Sequence, residues 1–385
     1  MNKTTLFRTT PRIVMGAGAL AQFPDEVRLL KARKVLLVTD PGLVEAGVAD
    51  RVRDLLDAVG IAHAVFSDVE PDPRYEIVLE CLDTIRKEES DLVVALGGGS
   101  PMDIAKTAAM MARNEGPISQ YFGVDLVPNP GLPTLMIPTT AGTGSEVTPI
   151  AILSDEDEKL KKGIVSGYLF PHTAILDPEL TLGLPPAITA ATGMDALIHA
   201  IEAFTSVNAC AMTDLLAFRA MELLYDNIRT AYANGANLEA RSAMMEGSLL
   251  AGMAFANAGV TAVHAFAYPI GAEFHIPHGV ANTLMLPHVM RFNVLGNVPK
   301  FAEIADAFGL VVSDLDELGC AEEAVACIER LADDLRVPRR LSDFGVKDED
   351  IERLAQGVMK VTRLLANNPR VIELQDAQEI YRAAL

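Results

Sequence analysis

The chain has 385 residues, of which 50 % are hydrophobic and 22 % are charged, and its formal net charge is -20. This length favours two domains. So acidic a chain lacks the basic face that nucleic-acid phosphates require, which excludes a nucleic-acid-binding protein. Four cysteines without a CxxC pair indicate neither a disulfide framework nor a thiolate zinc site. Without a long apolar run or a signal-peptide pattern, we expect no membrane partner and a cytoplasmic location.

Short β-branched runs alternate with segments of helical period in the first half of the chain. Strands are predicted at 35–39, 92–96 and 134–140, and helices at 43–58 and 74–89. This alternation is typical of βαβ units around a mainly parallel sheet.

The second half is rich in Ala, Leu and Met and carries almost no strand signal. Pro185 and Pro186 mark the change. We therefore predict an α/β domain in residues 1–184 and an all-helical domain in residues 185–385. Helices of the second domain are predicted at 187–207, 210–234, 238–258, 300–308, 319–334, 348–365 and 375–384.

The stretch DLVVALGGGSPMDIAK places a strand before Gly97, Gly98, Gly99 and Ser100, and Pro101 then opens a helix. Consecutive glycines allow a close approach to phosphate, and the free amides of a helix start attract it. We interpret the segment as a pyrophosphate-binding loop. A plain strand-to-helix turn is the alternative.

Asp40 follows the strand predicted at 35–39. A carboxylate at this place would accept a hydrogen bond from a ribose 2′-hydroxyl and repel a 2′-phosphate, which favours NAD over NADP. Alternatively, Asp40 caps the next helix. The earlier segment GAGALA at 16–21 is a weak match to the G-x-G-x-x-A pattern.

The segment TLMIPTTAGTGSEVT at 134–148 groups hydroxyl side chains around a strand end. Thr139, Thr140 and Thr143 are candidate nucleotide contacts, because hydroxyls and open backbone offer hydrogen bonds. An ordinary polar loop has the same composition.

Two pairs of residues are candidate metal ligands. Asp195 and His199 are four residues apart, so on a helix they lie on one face, and the apolar neighbours predict that this helix is buried. His264 is predicted at the far end of a helix, and His278 follows an Ile-Pro turn. One carboxylate and three imidazoles suit Fe²⁺ or Zn²⁺ and leave coordination positions for substrate. Alternatively, Asp195 and His199 form a surface pair, and the later histidines are ordinary core residues. The nearby His275 is predicted to be a pocket or core residue rather than a ligand.

Several long motifs together resemble the iron-containing alcohol dehydrogenase family, in the group of lactaldehyde reductase and 1,3-propanediol dehydrogenase. They are GGGSPMD, TTAGTGSEVT, ATGMDALIHAIEAF, PHGVANTLMLPHVM and the closing NNPRVIELQDAQEIYRAAL. The resemblance runs from end to end. It implies a dinucleotide-binding domain, a helical metal-binding domain, an active site in the cleft between them, and a homodimer or higher homo-oligomer.

The resemblance also implies roles for individual residues. The Fe²⁺ ligands would be Asp195, His199, His264 and His278. The cofactor phosphates and nicotinamide ribose would contact Gly98, Gly99, Ser100 and Asp103, with Lys161, or its neighbour Lys162, also at the nicotinamide ribose. The adenosine side would contact Asp40, Thr139 and Thr140. Many family members have a second histidine four residues after the third ligand; here Tyr268 stands there and is a candidate proton relay.

The predicted function is reversible hydride transfer between NAD(H) and a small primary alcohol or its aldehyde, with the metal as Lewis acid. A lyase resembling dehydroquinate synthase is the alternative. That chemistry handles phosphorylated substrates, yet Arg241 is the only Lys or Arg in residues 240–290. A metal-free relative similar to maleylacetate reductase is disfavoured because all four ligand positions are filled. A non-catalytic binding protein leaves the open coordination positions unexplained.

Overall fold

The computed structural model describes residues 4–155 and 160–385, and the chain divides into two compact units. The first unit is Thr9–Gly183. The second is Leu184–Leu385 with the described part of Met1–Arg8. The Asn257 side chain bonds both the N–H and the carbonyl of Arg8, at 2.7 and 2.9 Å, and so holds the start of the chain to the second unit. The predicted division had placed this start in the first domain.

The first unit contains a six-stranded parallel sheet of order β1-β9-β6-β4-β2-β3 and a three-stranded sheet of order β5-β8-β7. The parallel α/β architecture predicted from the sequence is confirmed. The strands are β1 Ile13–Met15, β2 Lys34–Val38, β3 Ala62–Phe66, β4 Leu92–Gly97, β5 Gly123–Val124, β6 Thr134–Pro138, β7 Ile150–Asp155, β8 Leu160–Val165 and β9 Thr173–Leu176.

Strand β4 lies in the middle of the large sheet and is buried at every position. Its alternate residues enter two different cores, Val93 and Ala95 on one face and Val94 and Leu96 on the other, because successive side chains of a strand point to opposite faces. Helices cover both faces, as expected for a buried parallel sheet. The helices of this unit are α1 Phe23–Leu29, α2 Pro41–Glu45, α3 Val48–Ala58, α4 Tyr75–Glu88 and α5 Gly99–Met111.

Two details of this unit differ from the prediction. The helix predicted at 43–58 is divided into α2 and α3, because the chain turns at Gly47 with a φ of 71°. The small sheet was not predicted. Its strand β7 pairs antiparallel with β8, and β5 has only two residues.

The second unit is helical throughout, as predicted. Its helices are α6 Pro186–Thr205, α7 Ala211–Ala233, α8 Leu238–Ala258, α9 Ala262–Phe274, α10 His278–Asn293, α11 Val298–Ala307, α12 Glu317–Asp334, α13 Ile351–Met359, α14 Thr362–Leu365 and α15 Leu374–Ala383. The single helix predicted at 348–365 is wrong, since a 3₁₀ turn at Asp348–Asp350 precedes α13, and a break separates α13 from α14.

Within residues 4–155 and 160–385, no single helix has the length and apolar character needed to cross a membrane. Taken together, α8 and α9 meet that requirement by length and composition, but they meet at a bend of 102°.

Candidate metal centre and nucleotide-binding loops

Helix α6 carries two of the predicted metal ligands. Asp195 and His199 lie one turn apart on it and are both buried, with Asp195 Oδ2 4.0 Å from His199 Nδ1. Apolar residues fill the adjacent positions, so the helix packs on all sides and presents these two polar groups inside the unit. The His199 ring stacks on Phe255, with ring centroids 4.3 Å apart. Packing therefore fixes the imidazole in one orientation.

The other two predicted ligands lie at helix starts. His264 is in the first turn of α9, directly after the bend from α8, and His278 is the first residue of α10. The prediction that His264 stands at the far end of a helix is therefore wrong. The physical reason is that α9 is apolar on all sides, so its sequence has no period that locates its start.

Three of the four side chains form a tight cluster. Ligand atoms of Asp195, His199 and His264 all lie within 4.8 Å of one another. His278 reaches the same carboxylate from α10, because its Nε2 lies 3.8 Å from Asp195 Oδ1, the distance at which His264 Nε2 also lies. The structure thus brings together one carboxylate and three imidazoles from three helices.

The contacts of Asn282 show whether the cluster suits a cation, because its amide nitrogen lies among the carboxylate and imidazole atoms. Its Nδ2 donates to Asp195 Oδ1 at 2.8 Å and lies 3.1 Å from His264 Nε2 and 3.2 Å from His278 Nε2. One amide nitrogen carries two hydrogens and cannot satisfy three partners. Among the described residues, Asn282 Oδ1 is buried without a hydrogen-bond partner. Carboxylate and imidazole atoms that converge on one point fit Fe²⁺ or Zn²⁺.

Opposite pKa shifts accompany this arrangement. Burial raises the pKa of Asp195, but the charge of His199 and of two further imidazoles, together with the bond from Asn282, lowers it below its usual value. Burial lowers the pKa of His264, but Glu202 and Asp195 outweigh burial, so its pKa is above the usual value. A metal ion would have to displace a proton from this cluster, which makes metal affinity weaker at low pH.

Tyr268 lies within α9, and His275 lies at the C-terminal end of that helix. Tyr268 is one turn after His264, and its ring centroid is 6.2 Å from that of His278, so it borders the cluster. His275 is exposed and ends α9 in the left-handed region, with a φ of 53°. His275 is therefore not a core residue.

In the first unit, the glycine-rich segment joins β4 to α5 as predicted. Gly98 is the N-cap and α5 begins at Gly99, two residues earlier than the expected start at Pro101. The amides of Gly99 and Ser100 are thus first-turn amides, which have no partner within the helix. A Cβ on Gly99 would lie 2.9 Å from Thr143 Cγ2, so the two loops approach closely and the Thr143 side chain would have to shift to admit one.

The residues after β6 lie against this segment. A Cβ on Gly98 would lie 3.4 Å from Thr140 Oγ1, so the threonine-rich segment borders the glycine-rich loop. The amide of Thr139 donates to the carbonyl of Gly97 at 3.0 Å. Gly97, Thr139 and Asp40 end or follow the adjacent parallel strands β4, β6 and β2, so they lie along one sheet edge, where nucleotides bind in such folds.

Asp103 and Asp40 both have protein partners. Asp103 is half-buried, and its two oxygens accept hydrogen bonds from Ser145 Oγ at 2.7 Å and from the Ile152 amide at 2.8 Å. Its carboxylate therefore ties α5 to the threonine-rich segment and to β7. Asp40 Oδ1 caps α2 by accepting from the Leu43 amide at 3.0 Å. The capping interpretation of Asp40 is thus correct, and the cap engages one of its two carboxylate oxygens.

Other predicted contacts are engaged within the unit. Lys161 Nζ forms an ion pair with Asp72 at 2.5 Å, and Lys162 Nζ forms one with Asp155 at 2.7 Å. In the weak GAGALA match, the amides of Gly18 and Leu20 donate to the Asp177 carboxylate. That carboxylate takes the place an anionic ligand would occupy, so this segment is not a phosphate loop.

Sequence reasoning missed two side chains of the metal cluster, Glu202 and Asn282. Glu202 lies three residues after His199 on the same helix face, and its Oε2 is hydrogen-bonded to His264 Nδ1. Asn282 lies four residues after His278 on α10. Helical spacing from a predicted ligand was the signal available for both.

Comparison with known proteins finds matches to one family over both units. Residues 10–178 match the family model described as iron-containing alcohol dehydrogenase, and residues 189–385 match the C-terminal model of the same family. The chain is 43 % identical over 371 residues to 1,3-propanediol dehydrogenase of Klebsiella pneumoniae, a match covering 96 % of each chain. Models and relatives alike give no support to the lyase alternative.

Two solved structures share the fold over nearly the whole chain. A crystal structure of 1,3-propanediol oxidoreductase has a TM-score of 0.97 and 41 % identity, with 100 % of both chains covered. Sulfoacetaldehyde reductase from Bifidobacterium kashiwanohense, solved in complex with NAD⁺, has a TM-score of 0.89 and 33 % identity, with 100 % of this chain and 99 % of that chain covered. Family models match both units, and candidate metal ligands cluster in the helical unit; the chain belongs to the iron-containing alcohol dehydrogenase family of oxidoreductases.

Proposed function

We propose that the protein interconverts a small primary alcohol and its aldehyde, using NAD(H) and one Fe²⁺ held by Asp195, His199, His264 and His278. The observation that carries this proposal is the cluster of one buried carboxylate and two buried imidazoles, with the imidazole of His278 3.8 Å from the same carboxylate. When bound, Fe²⁺ would polarise the substrate oxygen as a Lewis acid while NAD accepts or returns the hydride. Zn²⁺ fits the same donor set and is the alternative ion.

The chain's own residues would hold these groups in place. Asn282 orients the Asp195 carboxylate through the 2.8 Å bond to Oδ1, and stacking of His199 on Phe255 fixes that ring. Tyr268 borders His278, so its phenol is our candidate for passing a proton between the substrate and solvent.

For the cofactor, we propose a division of roles along the edge of the parallel sheet. The amides of Gly99 and Ser100 would bind the phosphates, as first-turn amides of a helix do. Further contacts are proposed for Gly97, Gly98, Asp103, Thr139, Thr140, Thr143 and Lys161. Because Asp103 is engaged by Ser145 and Ile152, we assign it the positioning of this loop as well as any contact with NAD. Residues 1–184 are the proposed dinucleotide-binding domain, and residues 185–385 the metal-binding domain.

The proposed substrate class is supported by the family relatives, whose names refer to 1,3-propanediol and sulfoacetaldehyde. The test is anaerobic purification, metal analysis, and measurement of NADH formation with ethanol, propanol, butanol and 1,3-propanediol, with NADH consumption measured for the corresponding aldehydes. About one iron per chain with turnover of one of these pairs is the expected result. A chain that binds iron and NAD but turns over no alcohol or aldehyde would contradict the proposal.

Replacing Asp40 should change the choice of cofactor. We expect Asp40→Ser to raise the ratio of NADP⁺ to NAD⁺ activity about tenfold or more, because removing the carboxylate removes its repulsion of a 2′-phosphate. Serine also caps helices, so the start of α2 should survive. The measurement is kcat/KM with each cofactor. Asp25→Ser, which removes an exposed carboxylate from α1, is the control; an unchanged ratio in Asp40→Ser would remove the role we assign to Asp40.

We also propose that the protein is a cytoplasmic homodimer or higher homo-oligomer. All four cysteines are free thiols, which suits a reducing compartment. Several large apolar side chains of the helical unit are exposed, among them Leu215, Leu295 and Val371, and a second copy of the chain would cover such residues. Light scattering of the purified protein measures the oligomeric state.

A further inference from the structure

Glu202 is a buried carboxylate that the proposed catalytic roles leave unassigned. It lies on α6, the helix of Asp195 and His199, and only 1 % of its surface is exposed. A carboxylate in such a place is costly unless hydrogen bonds compensate its charge. Its position therefore needs an explanation in its contacts.

Each oxygen of Glu202 has its own partners. Oε1 accepts hydrogen bonds from the Thr261 amide at 3.0 Å, from Thr261 Oγ1 at 2.7 Å and from the Val263 amide at 2.8 Å. Oε2 is hydrogen-bonded to His264 Nδ1. The carboxylate thus accepts hydrogen bonds from backbone amides at the start of α9, and it also contacts the imidazole ring of His264, the third predicted ligand.

The contact with Oε2 decides which nitrogen of His264 keeps a proton. An ionised carboxylate only accepts hydrogen bonds, so Nδ1 must carry the hydrogen. In the neutral ring Nε2 then carries the lone pair, and it is the nitrogen that faces Asp195 Oδ1 at 3.8 Å and Asn282 Nδ2 at 3.1 Å. A histidine nitrogen binds a metal only through a free lone pair. The hydrogen-bond partner of one ring nitrogen therefore determines whether the other nitrogen has that lone pair.

The contacts of Oε1 fix where that ring stands. Helix α9 begins at Ala262, directly after the bend of 102° from α8, so its first turn is a place where the backbone changes direction. Two amides of this turn are tied to a side chain of α6. The same residue therefore sets both the position of His264 relative to Asp195 and the proton on its ring.

We propose that Glu202 is a positioning residue of the metal centre, which holds the proton on Nδ1 of His264 and directs Nε2 to the metal. The proposal rests on the metal centre of the proposed function. Its alternative is a purely structural role, in which Glu202 only caps the start of α9. The two roles differ in what happens to the His264 imidazole when the negative charge of Glu202 is removed and the shape of its side chain is kept.

Glu202→Gln makes that change. A glutamine oxygen still accepts from Thr261 and Val263, but its amide group then faces Nδ1 as a donor and favours the proton on Nε2. We expect the affinity of the metal-free, full-length protein for Co²⁺, measured against a competing chelator, to fall about 10- to 100-fold, as for other partners of metal-binding histidines. NAD binding, measured separately, should stay at the wild-type value.

Thr261→Val is the matched variant, because it removes the 2.7 Å bond to Oε1 and leaves the contact of Oε2 with His264. Its Co²⁺ affinity should fall much less than that of Glu202→Gln. If Glu202→Gln does not fold, Glu202→Asp keeps the charge but withdraws it from Nδ1, and it should weaken Co²⁺ binding in the same way. Equal losses in the Thr261 and Glu202 variants would overturn the proposal in favour of the structural role.

A second readout follows the ring itself. In metal-free protein with isotope-labelled histidine, NMR at alkaline pH should show the His264 proton on Nδ1 in wild type and on Nε2 in Glu202→Gln, with His264→Gln used to assign the signal. Wild-type Co²⁺ affinity in Glu202→Gln, or weaker affinity with the Nδ1 proton retained, would overturn the inference while leaving the proposed function standing. A wild-type protein that binds neither Fe²⁺ nor Co²⁺ would overturn both.

Discussion

Asp195→Asn is expected to lower kcat/KM at least about a thousand-fold and to remove iron from the protein. Asp195 supplies the one negative charge among the four proposed ligands, and Lewis-acid stabilisation is worth several kcal/mol of the barrier, each 1.4 kcal/mol being tenfold in rate. The substituted side chain keeps the shape of the original, and its oxygen still accepts from Asn282 Nδ2. The protein should therefore fold normally. Iron content, kcat/KM and the melting temperature check the three parts of this expectation.

The control for this variant is Asp306→Asn, which makes the same chemical change at an exposed position of α11 in the same unit. It should leave iron content and turnover at wild-type values. NAD binding should be unchanged in both variants, because the proposed nucleotide contacts belong to the first unit. Turnover and iron content at wild-type levels in Asp195→Asn would show that the ion is held elsewhere.

The parts of the fold that follow from local pattern were predicted correctly. Strands β2 and β4 are short β-branched runs in the sequence because all but one of their positions are buried. The Asp195–His199 pair follows from helical spacing alone. The candidate segments after β2, β4 and β6 were also predicted to follow strands. A parallel sheet places the ends of its strands at one edge, so these segments lie together.

The parts that depend on distant contacts were not predicted. Glu202 was missed although it shares a helix face with His199, because its partner His264 is 62 residues further along the chain. Strand β5 has two residues and pairs with β8 some 40 positions away, which no local period reveals. His264 was predicted at the far end of a helix and lies in the first turn of α9, whose start is tied to Glu202 by contacts that periodicity does not show.

Gly279 is the position where one added methyl group should do the most damage to the metal centre. It follows His278 in the first turn of α10, and a Cβ built on it would lie 2.2 Å from the backbone oxygen of Ala191 on α6. A backbone carbonyl within a helix cannot turn aside as a flexible side chain does. In Gly279→Ala, α10 must therefore move away from α6, and His278 moves with it away from Asp195.

We expect Gly279→Ala to lower kcat/KM at least about a hundred-fold, since a misplacement of about 1 Å at an active site costs that much, and to destabilise the protein by about 1 to 3 kcal/mol, as overpacking does. Gly271→Ala is the matched control: on α9 its Cβ would be 3.5 Å from the Ile276 oxygen, an ordinary contact. Alanine also favours a helix over glycine by about 1 kcal/mol, so the control should keep its iron, turnover and stability. If both variants behave alike, the close approach of α10 to α6 does not position His278, and His278 must reach the metal without help from this contact.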